Sequence, residues 1–316
     1  MTGVDVPDDL LGRRVALRHR LAGGPLTDAV GELADAGGGA VLVHTRRGPV
    51  RVDRDAVVAV RAVPPPVPRR ASWAAVARLE NLCADAWPAC VDRPLGAWRL
   101  RAAGGFTGRA NSALAVGDPG LPVPAALDAA RAFAAEHGVG PRVQAPVGSP
   151  WERAVAAQVW VLDAGHEAGA EVAVLVVDVD RLAAASARAV TLAGRPDEAW
   201  WALALGRTPT PDERFVLDNP ALHAAFGLVP GAGVVRAAVV GDHLHLSRLA
   251  VTPAARRAGV GTALTAAAAR WGRAEGARWA VLQVALHNAA ARALYDRLGA
   301  TEHHRYRYLV PPPAEA

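Results

Sequence analysis

The 316-residue chain contains no lysine, one methionine and only two cysteines. All 35 of its basic residues are therefore arginine, set against 30 acids for a net charge of +5. With nothing titrating at lysine's pKa and arginine charged throughout, so small an excess still gives a pI of about 10.1. Alanine, arginine, glycine and proline are abundant, as a GC-rich genome would produce, so the basic pI is weak ground for nucleic-acid binding. Two thiols seven residues apart, Cys83 and Cys90, exclude a disulfide framework or a four-thiolate zinc site. They read as small apolar side chains in a reducing cytoplasm. The N-terminus, MTGVDVPDDLLGRR, lacks the positive charge and apolar run of a signal peptide. Apolar runs such as Val172 to Val177 are too short to cross a bilayer. A cytoplasmic protein with no membrane partner is expected.

What is present is ample core-forming material, 52% of residues being apolar, which excludes wholesale disorder. At roughly 100–200 residues per domain, the length predicts two or three domains. Charge is unevenly spread. Residues 1–70 carry 11 Arg and 8 acids, residues 241–316 carry 10 Arg and 5 acids, and the middle carries 14 Arg and 17 acids. The surplus thus sits at both ends.

Segments 14–21, 29–36, 40–45, 49–52 and 56–63 are rich in β-branched residues and separated by Gly, Pro and Asp turns. Five short strands over residues 1–63 suit a small barrel similar to SH3-like modules. The proline-rich stretch 64–70, ending in Arg69 and Arg70, reads as a stiff linker. Helical periodicity then begins at 73–87. A hairpin is expected from 97–103 and 107–116 through Gly104 and Gly105, followed by a helix at 123–138 and strands at 142–147 and 170–179. This defines an α/β (α+β) unit over 71–185. A third unit, 186–316, predicts helix 211–219, strands 223–229, 234–240 and 244–251, helix 261–276, strand 279–284, helix 288–299 and strand 304–310. The second and third units are alike in length and class, consistent with an old duplication.

One stretch carries chemistry. Strand LHLSRLAV is followed by Thr252, Pro253 and the run Arg256-Arg257-Ala258-Gly259-Val260-Gly261, opening a helix at Thr262. Glycines between strand and helix allow close backbone approach, and the free N–H groups of a helix start favour phosphate. Arg256 and Arg257 can add charge-assisted contacts. No G-x-G-x-x-G exists, and without lysine there is no Walker loop.

Leu249-Ala250-Val251-x-Pro253, the Arg-x-x-Gly-x-Gly run Arg256 to Gly261, and a later block of Asn288, Ala291, Leu294-Tyr295 and Leu298-Gly299 resemble the GCN5-related N-acetyltransferase (GNAT) superfamily. The match covers residues 222–310. More loosely, the whole chain resembles actinobacterial proteins with an SH3-like module ahead of two GNAT-type halves, some described as histone acetyltransferases. The resemblance implies a GNAT fold and acetyl transfer from acetyl-CoA, without metal, to an amine acceptor, either a small molecule or a protein lysine. It implies that Leu249, Ala250 and Val251 lie along the pantetheine arm and that Arg256, Arg257, Gly259, Val260, Gly261 and Thr262 hold the pyrophosphate. Asn288 would contact the arm and Tyr295 would protonate the departing thiolate.

The base is open. Gln283 occupies the place where many family members carry Glu. His245 and Ser247 match a His-x-His pair of serotonin-type relatives, with His243 one step further along the same face. His245 acting directly or through water, and an amine deprotonated by solvent, both remain. His243-x-His245 lacks a third metal ligand at sensible spacing, and His303-His304 reads as surface or acceptor lining. The first half lacks the glycine motif, so it is expected to have lost CoA binding and to serve as scaffold, with Thr107, Arg109, Asn111 and Ser112 facing the cleft or simply forming a turn. Two other functions stay open: a non-catalytic acetyl-CoA sensor, and a nucleic-acid module using Arg13, Arg14, Arg18, Arg20, Arg46, Arg47, Arg51 and Arg54.

Overall fold

The computed structural model describes residues 6–21, 24–45, 48–63 and 71–312. The chain divides into two compact units, Met1–Arg69 and Arg70–Ala316. The proposed linker 64–70 lies outside the described residues, apart from its boundary with Ala71. No helix among the described residues is long and apolar enough to cross a membrane.

The first unit is an antiparallel sheet of β1 (Arg14–Arg20), β2 (Leu26–Gly37), β3 (Ala40–Thr45), β4 (Gly48–Asp53) and β5 (Val57–Ala62). Alternating residues Val15, Leu17, Leu33, Val41, Val43 and Val52 face one core, as a strand's period of two requires. The order β4-β3-β2-β1-β5 is a path with two ends, so the expected closed barrel is corrected to an open sheet. Strand count and spacing were legible, but whether the first and last strands meet depends on twist and register.

The second unit begins with α1 (Trp73–Ala86), β6 (Val91–Leu95), β7 (Trp98–Ala102), β8 (Ala113–Leu114), α2 (Val123–Glu136), β9 (Val143–Pro146), α3 (Pro150–Ala156), β10 (Val161–Leu162) and β11 (Glu171–Asp178). It continues with α4 (Val179–Ala183), β12 (Thr191–Ala193), α5 (Glu198–Leu205), α6 (Pro211–Leu217), β13 (His223–Val229), β14 (Gly233–Val240) and β15 (His243–Val251). The chain ends with α7 (Val260–Ala274), β16 (Trp279–Ala285), α8 (Ala289–Arg297) and β17 (Thr301–Val310). All twelve strands join one sheet, in which β11 pairs with β16 while β17 pairs with both β11 and β9. The last strand of each half is therefore seated in the other half's part of the sheet. The expected pairing across Gly104 and Gly105 is present, β7 running antiparallel to β8, but the connection is a long loop over residues 103–112, and β7 forms its tight hairpin with β6. Pro94 and two charges in Val91–Leu95 hid that edge strand from the sequence.

The two faces of the sheet are built differently. Leu175, Val177, Leu244, Leu246, Leu282 and Val284 pack with α7 residues Leu264, Ala268 and Ala269 in an apolar core. The opposite face meets α1 through Leu79 and Cys83, against Val172, Val174, Val281, Tyr306 and Tyr308. That face also carries a buried polar chain. His304 Nε2 lies 2.7 Å from Glu80 Oε1, and Gln144 Nε2 donates to Glu80 Oε2 at 2.5 Å. Arg101 Nη2 donates to Gln144 Oε1 and to Ser112 Oγ, both at 2.9 Å. Glu80 is thus the carboxylate that ties α1 to β9 and β17. Truncating it leaves two donors buried without an acceptor. Glu80→Ala should cost about 3 kcal/mol, read as a lower urea midpoint at unchanged m-value.

Candidate functional site

Parallel pairing of β15 with β16 stops early. It runs from His243↔Trp279 to Leu246↔Leu282. Beyond that point, β15 continues to Val251 beside β14 alone, and β16 continues to Ala285 beside β11. Among the described residues, no ladder joins Ser247–Val251 to Gln283–Ala285, so the two strands open into a V. A bulge assists: Val234 faces Ala250 while Arg236 faces Ser247, leaving Arg248 and Leu249 together opposite Val235. Arg248 takes φ +52, a left-handed conformation rare outside glycine. The open edge of β15 presents backbone groups to which an extended chain can add.

At the mouth of the V lies the start of α7. Gly259 caps it at φ +74, and no side chain occupies the cap. The first N–H groups of the helix are left for water or a ligand, and the helix dipole favours an anion there. Arg256 and Arg257 flank this turn, exposed, and Arg257 itself takes φ +63. A Cβ added at Gly261 would stand 3.5 Å from Leu294, 3.7 Å from Val251 and 3.9 Å from Leu249, which places the turn against both β15 and α8. Asn288 caps α8 by accepting from the Ala291 N–H at 3.1 Å. Tyr295 is buried in the core shared with Val260, Leu264 and Val284. Burial raises its phenol pKa, offset in part by the nearby Thr265 hydroxyl, so it remains a proton donor. The structure thus packs Leu249, Val251, Val260 and Tyr295 into one apolar cluster with Gly261 against it, and Ala250, Arg256, Arg257, Gly259, Thr262 and Asn288 lie on the adjoining strand and turns.

At the apex sits a cluster that the sequence only partly disclosed. Asn111, buried, accepts from the N–H groups of Ala103 and Gly105 at 2.8 and 3.0 Å. It also donates to the carbonyls of Phe106 and Thr107 at 2.8 and 2.9 Å. This staple holds a loop that delivers Arg109, whose Nη1 donates to Gln283 Oε1 at 2.9 Å. Thr107 accepts from Trp87 Nε1 at 3.0 Å, and Ser112 belongs to the Arg101 network. His245 is fully buried, 6.3 Å from the Trp87 ring. Neither of its ring nitrogens has a hydrogen-bond partner among the described residues. Burial first, then the charges of Arg109 and Arg236, lower its pKa well below the ordinary 6.5, with Gln283 close enough to oppose the shift. Arg236, from the apolar strand VVRAAVV, donates Nε to the Leu217 carbonyl at 2.7 Å and Nη1 to the Ala86 carbonyl at 3.1 Å. A charge inside so apolar a run was the available signal, and it was missed. His243 sits apart, with Nδ1 2.7 Å from Asp242 Oδ1.

The first half repeats the plan without the anion turn. β8 and β9 pair in parallel through Ala113↔Val143 and Leu114↔Gln144. Beyond them lies an apolar cleft of about 240 Å³ lined by Trp73, Val116, Pro146 and Trp151. The helix that follows β8, α2, opens on Pro122-Val123-Pro124, where the prolines supply no N–H donor. In the N-terminal unit, Arg18 is bidentate to Asp28 at 2.8 and 2.9 Å, and Arg51 donates to the Ala36 and Gly37 carbonyls. Arg54 lies 3.6 Å from Asp35, and Arg46 and Arg47 lie outside the described residues. Among the described residues no group of three His, Cys, Asp or Glu side chains could hold a metal ion. Cys83 and Cys90 are free thiols.

A family profile described as "Probable histone acetyltransferase Rv0428c C-terminal" matches residues 74–309, and one described as "Rv0428c N-terminal Sm-like domain" matches residues 10–61. The Mycobacterium tuberculosis (strain ATCC 25618 / H37Rv) protein named "Probable histone acetyltransferase Rv0428c" is 33% identical over 310 residues, 95% of either chain. Among solved structures, a GCN5-related N-acetyltransferase from Kribbella flavida is 18% identical with TM-score 0.55, over 75% of this chain and 96% of that one. A tandem GNAT protein from the clavulanic acid biosynthesis pathway is 14% identical with TM-score 0.49, over 73% of this chain and 86% of that one. Sheet, splayed strands and these matches together define the class: a GNAT-type acetyltransferase. The chain belongs to the family of the mycobacterial probable histone acetyltransferase Rv0428c, with its Sm-like N-terminal unit and its acetyltransferase unit both represented.

The neutral, sealed His245 has a consequence for stability. Below pH 6.5 the unfolded chain takes up a proton that the folded ring refuses, so stability falls as the pH drops and is unaffected above that point. Half-buried His166 and His303, also lowered mainly by burial, add to the same slope. His245→Gln should flatten part of the fall in urea midpoint between pH 7.5 and 5.5. An unchanged slope would show that the ring is protonated in place.

Proposed function

We propose that the β15/β16 cleft transfers acetyl from acetyl-CoA to a primary amine by direct attack in a ternary complex. The observation that carries this reading is the glycine-capped start of α7, whose first N–H groups no side chain caps, with two exposed arginines beside a splayed strand pair. The diphosphate would lie on the α7 turn with Arg256, Arg257, Gly259, Val260, Gly261 and Thr262. The pantetheine arm would run along Leu249, Ala250 and Val251, with Asn288 beside it. The neutral amine nitrogen attacks the thioester carbonyl, a C–N bond forms, the C–S bond breaks, Tyr295 gives its proton to the departing thiolate, and the proton shed by the acylated nitrogen passes through solvent to restore the phenol. In this reading the first half is scaffold, since Pro124 removes one helix-start donor of α2 and Pro122, not glycine, stands at the cap of that helix.

Burial of His245 and the arginines around it favour the route in which the amine arrives already neutral, its proton lost to solvent. The positive field that lowers the His245 pKa would act in the same sense on an ammonium brought to the apex. Calorimetry should show acetyl-CoA binding at micromolar affinity, roughly −8 kcal/mol. Tyr295→Phe should keep that binding and lower kcat by about a hundredfold, measured as thiol release. Absence of any heat with acetyl-CoA would overturn the proposal, and binding without thiol release across amine acceptors would favour the sensor reading.

A further inference from the structure

Three guanidinium groups surround the aromatic pair at the apex. Trp87 and Phe106 stack with centroids 6.2 Å apart and planes at 25°. Arg109 Cζ lies 4.5 Å and Arg236 Cζ 5.3 Å from the Trp87 ring, and Arg248 Cζ lies 5.9 Å from the Phe106 ring. Among the described residues none of the three reaches a carboxylate. Their acceptors are the Gln283 side-chain oxygen, the Ser247 hydroxyl and the carbonyls of Leu217, Ala86 and Ala204.

Several half-buried arginines elsewhere meet carboxylates, although Arg101 and Arg270 are held by uncharged acceptors. Arg99 is held by Asp85 and Asp92, Arg142 by Asp163, and Arg307 by Glu152 and Glu171. The acids whose charge reaches the cluster are already paired, Asp218 with Arg195 and Glu213 with Arg207. A second observation points the same way. Arg236 Nη2 and both nitrogens of His245 are buried and have no hydrogen-bond partner among the described residues. Buried donors of this kind are ordinarily satisfied by water or a ligand. Arg109, Phe106, Arg248 and Gln283 each keep part of their surface in solvent and form the accessible rim, behind which Arg236 and His245 are fully buried.

Its place is the apex of the V, where Ser247 and Gln283 are the first residues beyond the paired register. We infer that the acceptor of this site is a primary amine that also bears a carboxylate, held by Arg109 and Arg248 with its amino group toward the thioester. A carboxylate gains charge-assisted, bidentate hydrogen bonds from guanidinium groups, whereas a lysine-rich chain meets like charge. The product is then an N-acetyl carboxylate. This inference rests on the acetyl-transfer reading of the same cleft.

The test uses the full chain with acetyl-CoA and measures thiol release from matched acceptors: 4-aminobutanoate and glutamate, neutral butylamine, dicationic 1,4-diaminobutane, and a basic lysine-containing peptide. The carboxylate-bearing amines should exceed the neutral and cationic ones in kcat/KM by at least about tenfold, the effect of one charge-assisted hydrogen bond. Arg109→Gln should collapse that ratio, Arg109→Lys should keep only the part that charge alone supplies, and Arg248→Gln offers a second reading if the first variant unfolds. Preference for butylamine, diamine or peptide would overturn the inference, as would silence from both carboxylate amines or a ratio unmoved in both charge-removing variants. Calorimetry with acetyl-CoA alone tells the two failures apart. Loss of that signal sinks the acetyl-transfer reading, whereas binding with the wrong acceptor preference sinks only the carboxylate.

Discussion

Antiparallel pairing of β11 with β17 is the contact on which the second unit depends. Through it the last strand of the first half completes the sheet beside β16, and the last strand of the second half reaches β9. Neither half can close its sheet alone, which is why residues from Arg70 onward form one compact unit. The exchange also decides what meets at the apex of the V. It brings the Gly104–Asn111 loop of the first half close enough for Arg109 to bond Gln283 of the second.

The cost of this arrangement is a buried polar seam beneath α1. On the first half's side the seam closes: Ser112, Arg101, Gln144, Glu80 and His304 form an unbroken chain of partners. On the second half's side it stays open, with Arg236 Nη2 and His245 lacking partners among the described residues. Burial pulls the Arg236 pKa down to about 9, with the charge of Arg109 adding to the shift. A half-satisfied polar network lowers stability, and proteins retain such places where chemistry uses them. Both halves set an arginine on the strand that pairs with the first member of the parallel pair (Arg101 on β7, Arg236 on β14), a serine opposite it and a glutamine on the second member. That repetition supports the duplication suspected from segment lengths. Only the second copy keeps a glycine-capped helix start, and only there do these buried donors lack partners among the described residues.

Much of the site was legible because its motif is local. Strand, bulge, glycine turn and helix start are encoded in consecutive residues from Leu244 to Ala274, and backbone geometry at Gly259 follows from its lack of a Cβ. The five strands of the N-terminal unit were likewise readable from alternation and turn residues. What escaped was non-local. β6 was masked by Pro94, and α5, apolar on every side, gave no periodic signal because it is buried by Trp200, Trp201 and Ala204 against β13 and β14. The open path of the first sheet, in place of a closed barrel, was also invisible, since closure is a property of register between distant strands.

The sequence by itself determined much of the strand and helix content, the break after the N-terminal strands and the glycine turn before α7. These depend on side-chain periodicity and on backbone preferences within a few positions. The merging of the two expected later units into one was decided by the shared sheet. Tertiary structure alone decided that Arg109, Arg236 and Arg248 converge on Trp87 and Phe106, across 174 residues in the case of the Arg109–Gln283 bond. It also turned His245 from a titratable candidate into a sealed, neutral ring. The reason is physical: a charge's environment is set by what folds around it, and the groups that fold around these lie in other strands.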